Sequence, residues 1–256
     1  KLFSLAELNK WSGMMLRHLY NIKFPETGKS LVWLNDGKQR ILFDWKSRKA
    51  LWKGNVSMAK GAQAQDFNSV SKALAYVKDN QLHVVDAHGN DHQLTTDGSR
   101  EIVYGQSVHR NEFGITGGLF WNNDGTQLAF YRMDQSMVTD YPLVDIPEVD
   151  WVPAKGESRI AKAAPTKYPM AGETSHKVTV GVYDMKTEQI IYLKAGDPTD
   201  RYFTNIAWSP DEKTIYIFEL NRDQNDCRLV AYDAATGNKI AEIYRETDRK
   251  YVEPSH

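Results

Sequence analysis

With a single cysteine, Cys227, in 256 residues, the chain can form neither an internal disulfide framework nor a cysteine-rich zinc site. No apolar run approaches the ~18 residues that a membrane-spanning helix requires. Neither sign of charge dominates: 32 Lys and Arg stand against 33 Asp and Glu, a formal net charge of −1. Spread along the chain, these charges form no stripe for nucleic acid or an anionic membrane. No G-x-S-x-G pentapeptide offers a strained nucleophile, and Gly28-Lys29-Ser30 lacks the upstream glycine of a phosphate loop. The seven histidines contain no H-E-x-x-H, and His83, His88 and His92 read as the polar rim of a hairpin. No metal or organic cofactor is therefore expected. An initiator Met and a basic-then-apolar leader are also missing, so an export segment is expected to have been removed. One cysteine does not decide the compartment.

What is present is a series of short apolar runs bounded by Gly, Asp and Asn, the pattern of antiparallel strands joined by tight turns. One unit recurs: "LVWLNDGKQRILFD" from Leu31, "GLFWNNDGTQLAFYR" from Gly118 and "NIAWSPDEKTIYIFE" from Asn205. Each copy has an aromatic-ended strand, a turn carrying Asp36, Asp124 or Asp211, and a second apolar strand. Trp33, Trp121 and Trp208 stand at equivalent places as core aromatics, and "SVSKALAYVKD" from Ser69 is a degenerate copy without the Trp or the Asp turn. Behind these lie strand pairs of a second type, in which an apolar strand ends in Asp86, Asp184 or Asp233 and another strand returns. Tyr183 and Tyr232 fall on these strands as further core aromatics. Four strands per unit, in repeats of roughly 40–50 residues, describe β-propeller blades. Irregular hairpins of a β-sandwich would also alternate, but a recurring strand, Asp turn and strand favours the propeller. Residues 133–177, rich in Pro, Lys and Asp, read as an insertion that is either a packed hairpin or a partner surface. Ser4–Trp11 begins with a capping-box pattern and reads as a short helical lead-in.

Between two strand-like runs lies "SVHRNEFG", residues 107–114, where the lone acid Glu112 follows a basic pair, His109 and Arg110. On chemistry alone a loop glutamate is a solvated side chain. If partly desolvated, it can receive an ammonium group through a charge-assisted hydrogen bond.

The run "HRNEFGITGGLFWNNDGTQLAFYRMDQSMVTDYPLVD", then "KYPMAGE" and "VGVYDMKT", resembles the N-terminal β-propeller region of the dipeptidyl peptidase IV family of serine exopeptidases. The bacterial prolyl di- and tripeptidyl branch is the most similar. The resemblance implies an all-β chain of about four blades over residues 1–256, roughly half of an eight-bladed propeller. It also implies a partner α/β-hydrolase domain, outside this chain, that carries the catalytic Ser, Asp and His. The fragment alone is then expected to be inactive. In that family acidic propeller residues hold the amino terminus of the peptide substrate. Glu112 matches that position, with Arg110 and Asn111 beside it where dipeptidyl members carry paired glutamates. Further implications are a periplasmic or secreted location, pairing into homodimers, and no nucleic-acid partner. The competing expectation is a non-enzymatic propeller scaffold of the WD-repeat or TolB kind, with Glu112 an ordinary loop acid.

Overall fold

The computed structural model describes residues 31–35, 39–55, 61–146 and 160–254. The expected helical lead-in at Ser4–Trp11 lies outside these residues. Sheet one contains β1 (Leu31–Asn35), β2 (Gln39–Asp44) and β3 (Lys49–Asn55). Sheet two contains β4 (Ala64–Phe67), β5 (Leu74–Lys78), β6 (Gln81–Val85) and β7 (Asp91–Gln93). Sheet three begins with β8 (Ile102–Tyr104), β9 (Leu119–Trp121) and β10 (Gln127–Asp134). An arm of short strands follows: β11 (Asp140–Tyr141), β12 (Val144–Asp145), β13 (Lys162–Ala163) and β14 (Thr166–Lys167). The third sheet then resumes with β15 (Lys177–Asp184) and β16 (Gln189–Tyr192). Sheet four contains β17 (Arg201–Trp208), β18 (Thr214–Asn221), β19 (Asp226–Asp233) and β20 (Lys239–Thr247). All described pairings are antiparallel, and the fold is the β-propeller arrangement that the repeats predict.

Strand β10 shows why the sheets stack. Its Leu128 and Phe130 enter a core shared with Val77, Leu82 and Val84 of the second sheet. Ala129, Tyr131 and Met133 enter another core with Phe203, Ile215 and Ile217 of the fourth. Successive side chains of a strand point to opposite faces, so a strand buried on both faces must be apolar almost throughout. "QLAFYRMD" meets that demand. Gly181 of β15 is part of the same packing, because a Cβ there would stand 2.4 Å from the Phe130 ring.

The repeat residues join sheet to sheet. The Trp121 indole N–H donates to the Asp66 carbonyl of β4 (3.3 Å), and that of Trp208 to the Phe120 carbonyl of β9 (3.0 Å). Both are half-buried against the cores, and Tyr183 and Tyr232 are buried in them. The second-type turns are closed by their aspartates. Asp86 accepts from the backbone N–H of His88 and Asn90, Asp184 from Lys186 and Thr187, and Asp233 from Ala235 and Thr236. The Asp233 carboxyl is held below its usual pKa by the Thr236 hydroxyl and these amides.

Three expectations need correction. In β1–β2 the ladder pairs Leu34 with Ile41, whereas Trp121 pairs Leu128 and Trp208 pairs Ile215, so Trp33 stands one residue out of register. The degenerate copy keeps its geometry by other means. Phe67 takes the aromatic place, paired with Leu74, and the Asn68 side chain accepts from Val70 and Ser71 where an Asp turn was expected. Asn68 also donates to the Asn122 carbonyl (3.0 Å), stitching its turn to that of the third sheet. The insertion, finally, is narrower than 133–177. Met133 and Asp134 complete β10, and Lys177 begins β15. Its described part is a hairpin arm, with β11 paired to β14 and β12 to β13.

The edge strand of the third sheet is interrupted. β8 pairs with Arg132–Asp134 and β9 with Leu128–Phe130, both on the same side of β10. Between these contacts Tyr131 closes a neck, accepting from the Gly105 N–H (2.9 Å) and donating to the Gly118 carbonyl (3.0 Å). Residues 106–117 are thus a loop extruded from a strand. The crossing is so tight that a Cβ at Gly118 would lie 2.1 Å from the Gln106 carbonyl oxygen, while one at Gly117 would meet nothing. Gly118→Ala is therefore expected to cost about 1–3 kcal/mol through backbone displacement, and Gly117→Ala only a few tenths. Denaturant midpoints of the two variants measure the contrast.

Candidate functional site

The extruded loop carries the residues that the sequence singles out. Within it the segment His109–Gly114 is a 3₁₀ turn of unusual hand: His109, Arg110, Asn111 and Phe113 have φ of 51°, 58°, 64° and 56°. Only Glu112 is extended, at φ −62° and ψ 164°. Left-handed conformations cost an L-residue roughly 1–2 kcal/mol each. The cost is offset by anchoring. Val108, Phe113 and Ile115 are buried in the core between the third and fourth sheets. The Ser107 hydroxyl donates to the Ile115 carbonyl (2.8 Å), and the Ile115 N–H to the Glu112 carbonyl (3.1 Å). Arg110, Asn111 and Glu112 form the exposed crest between these anchors.

His109 does not form a basic pair with Arg110, as the sequence suggests. It is buried, its Nδ1 lies 2.8 Å from His176 Nε2, and its Nε2 accepts from the Phe203 N–H (3.2 Å). Burial and the neighbouring His176 push its pKa well below the usual histidine value, so the ring is neutral. His176 is lowered to about 4, first by burial and then by the charges of Arg110 and Arg222. Tyr202 completes the cluster, edge-on to His109 (4.9 Å) and tilted against Phe113 (5.3 Å).

The crest residues do not converge. Arg110 and Glu112 border a cleft of about 300 Å³ walled by Tyr168, His176 and Tyr202. Asn111 instead borders a depression of about 620 Å³ with Gln63, Gln106 and Ser107, beside β4 and β9. The Arg110 guanidinium lies over the Tyr168 ring, 5.5 Å from its centre. The guanidinium is engaged in that cation–π contact, and the Glu112 carboxylate makes no ion pair among the described residues. Burial raises the Tyr202 phenol pKa; Arg222 opposes the rise, and the charges of Asp200 and Glu112 add to it.

A carboxylate on an anchored crest, with no ion pair among the described residues and beside two aromatic rings, suits a cationic guest. Another groove, of about 620 Å³, runs along Lys194–Asp197 and β18–β19, but its charges are already matched. Glu219 there accepts from Arg201 and Tyr232, and Asp226 from Arg228. Nor do His83, His88 and His92 gather: His83 stacks on Tyr76 (4.8 Å) with its Nδ1 3.3 Å from the Asp91 carboxylate, while His92 lies 3.9 Å from Glu188. His176 and Tyr202 gave no signal of their own in the sequence, since their partner His109 is distant in the chain. Tyr168 lies within "KYPMAGE", a motif whose resemblance points to the family and not to this contact.

Comparison with known proteins adds an independent line. A family model described as the dipeptidyl peptidase IV (DPP IV) N-terminal region matches residues 41–256. "Probable dipeptidyl-aminopeptidase B" of Pyrenophora tritici-repentis is 28% identical over 206 residues, which are 75% of this chain and 23% of that protein. Its namesake in Uncinocarpus reesii is 27% identical over 206 residues, 75% of this chain and 22% of the relative. Among solved structures, a "putative dipeptidyl aminopeptidase IV" from Bacteroides ovatus is 44% identical, with a TM-score of 0.79 over 96% of this chain and 32% of that one. Porphyromonas gingivalis dipeptidyl peptidase 4 is 20% identical with a TM-score of 0.67 and supports the fold alone; 92% of this chain and 32% of that one are covered. The chain thus spans about a third of the length of these solved proteins and less than a quarter of the curated relatives.

The buried histidines set a pH dependence of stability. Unfolded, His176 titrates near its ordinary 6.5; folded, near 4. Between those values the unfolded chain binds the proton and the folded chain does not, so stability falls as pH drops through the window. His176 alone is expected to make the protein about 2 kcal/mol less stable at pH 5 than at pH 7.5. His176→Gln should flatten that part of the profile in thermal melts across pH 4.5–7.5.

Proposed function

The chain belongs to the dipeptidyl peptidase IV family, and from that premise we propose that it is the N-terminal propeller portion of a serine-type exopeptidase. The whole protein removes Xaa-Pro dipeptides or Xaa-Xaa-Pro tripeptides from peptide amino termini. In this reading the catalytic serine, aspartate and histidine reside on a C-terminal hydrolase domain of the same protein, and the propeller portion alone is inactive. The propeller limits access to the catalytic chamber and binds the free amino terminus of the substrate. In this reading the whole protein is periplasmic or secreted.

One observation carries the reading: the Glu112 carboxylate stands unpaired, among the described residues, on a fixed crest above the aromatic cleft. An ammonium held there lies at a set distance from a nucleophile elsewhere in the protein, and that distance selects the bond to be cut. Among the described residues Glu112 is the one acid that lines the cleft, and Asn111 borders a different depression. The single-acid arrangement favours the tripeptidyl variant of the activity, in which a second acid from the hydrolase domain completes the site.

A charge-assisted hydrogen bond contributes about 1.5–3 kcal/mol. Glu112→Gln in the full-length protein is therefore expected to lower kcat/KM by roughly tenfold or more on free-amino Xaa-Pro and Xaa-Xaa-Pro substrates. Unchanged kinetics would reject the role of Glu112. A full-length protein that hydrolyses neither substrate class would point instead to a non-enzymatic scaffold.

A further inference from the structure

Glu112 does not position itself. Its side chain makes no hydrogen bond or ion pair among the described residues, and the residues before it are in left-handed backbone that persists only where its surroundings hold it. What holds them is a chain of hydrogen bonds through the cleft floor. The Phe203 N–H on β17 can only donate, so His109 Nε2 must accept and carries no proton. His109 Nδ1 therefore bears the proton and donates to His176 Nε2 at 2.8 Å. His176 in turn carries its own proton on Nδ1. Both tautomers are thus fixed by one backbone amide, and both rings are neutral. The two imidazoles, with centres 5.0 Å apart and planes inclined by 29°, are closed in by Tyr202 on one side. The charges of Arg110 on the crest and Arg222 beyond β18 act on His176, and both disfavour a cationic ring. Arg222 is itself engaged, with the Asp200 carboxylate and the Glu173 carbonyl.

This arrangement ties three parts of the chain together: the extruded loop, the segment returning from the hairpin arm, and the first strand of the fourth sheet. We infer that His109 and His176 are positioning residues for substrate recognition, a neutral hydrogen-bonded pair that fixes the distance of Glu112 from the fourth sheet and so the register in which a peptide amino terminus is held. The inference rests on Glu112 being the ammonium-binding residue. It adds that the cleavage register is set by two imidazoles buried in the floor of the cleft.

The test uses the full-length protein and three variants, with steady-state kinetics on Xaa-Pro and Xaa-Xaa-Pro substrates. His176→Ala removes the acceptor for the His109 proton; His176→Gln restores a side-chain acceptor of similar reach. A crest displaced by about an ångström should raise KM about tenfold while kcat changes little, since the ammonium contact is present in ground state and transition state alike. It should also change the ratio of kcat/KM between the two substrate lengths, which a general loss of stability would not. His176→Gln is expected to recover most of the loss. In a Glu112→Gln background, His176→Ala should have little further effect, because the residue it positions is gone. If His176→Ala lowers kcat/KM equally for both lengths, or adds fully to Glu112→Gln, the positioning role is wrong while the ammonium site stands. If Glu112→Gln alone has no effect, the ammonium site itself has failed. Should His176→Ala not fold, His109→Asn keeps a donor near the Nδ1 position and loses the Phe203 contact; the same length-dependent shift is expected, and its absence overturns the inference.

Discussion

The backbone of Tyr131 bonds to both ends of the loop that carries Glu112, and the rest of the site depends on that pinch. Its carbonyl takes the Gly105 N–H and its own N–H goes to Gly118, so a strand edge that could have run straight through is interrupted there. The pinch holds because β10 cannot move. Alternate side chains of this strand sink into two different cores, one shared with the second sheet and one with the fourth. Packed interiors resist displacement, and a strand fixed on both faces transmits that resistance to whatever is bonded to its backbone. The loop therefore leaves the sheet from a rigid neck, and its freedom begins and ends within a few residues.

Rigidity at the neck does not explain rigidity at the crest, which lies beyond it in unfavourable backbone. There the fourth sheet supplies the constraint. Val108, Phe113 and Ile115 bury their side chains in the core between sheets three and four, and His109 is bonded to β17. The crest thus spans a seam between two blades and is anchored to both. A recognition group at such a seam reports the relative placement of blades as well as its own conformation. The strain of the left-handed run is offset because two of its members, His109 and Phe113, are themselves buried, flanked by buried Val108 and Ile115.

Much of this was legible in the sequence, and the failures have physical causes. Alternation and turn residues act locally, so the strands, the Asp-closed turns and the aromatic-ended repeat units were readable without a structure. Trp33 misled because a matching string, aromatic then Asp and Gly, fixes neither the hairpin register nor the face of the strand; the ladder places Leu34 where Trp121 and Trp208 stand. Asn68 was missed because an amide closes the same turn as a carboxylate. The ends of the insertion were misplaced by two residues at the start and one at the end, since β10 and β15 keep pairing until the arm begins. His109 was taken for a charge because its environment is built by Phe203 on β17 and His176 just before β15, both far along the chain. No local pattern encodes a partner at that distance.

The neighbours of Glu112 show the same limit from the other side. In the string Arg110-Asn111-Glu112 three polar side chains look like one constellation, and Asn111 looks like a vacant place for a second acid. The backbone denies this. Two left-handed residues followed by an extended one turn successive side chains away from each other, so that Asn111 borders the depression beside β4 and β9 while Glu112 borders the aromatic cleft. An acid at 111 on this backbone would look into the other depression and leave the cleft with one carboxylate. Adjacency in the sequence becomes a shared site only where the dihedral angles allow it. Here the same left-handed run that lifts Glu112 into place, and that the two histidines hold, also ensures that it acts without its neighbour.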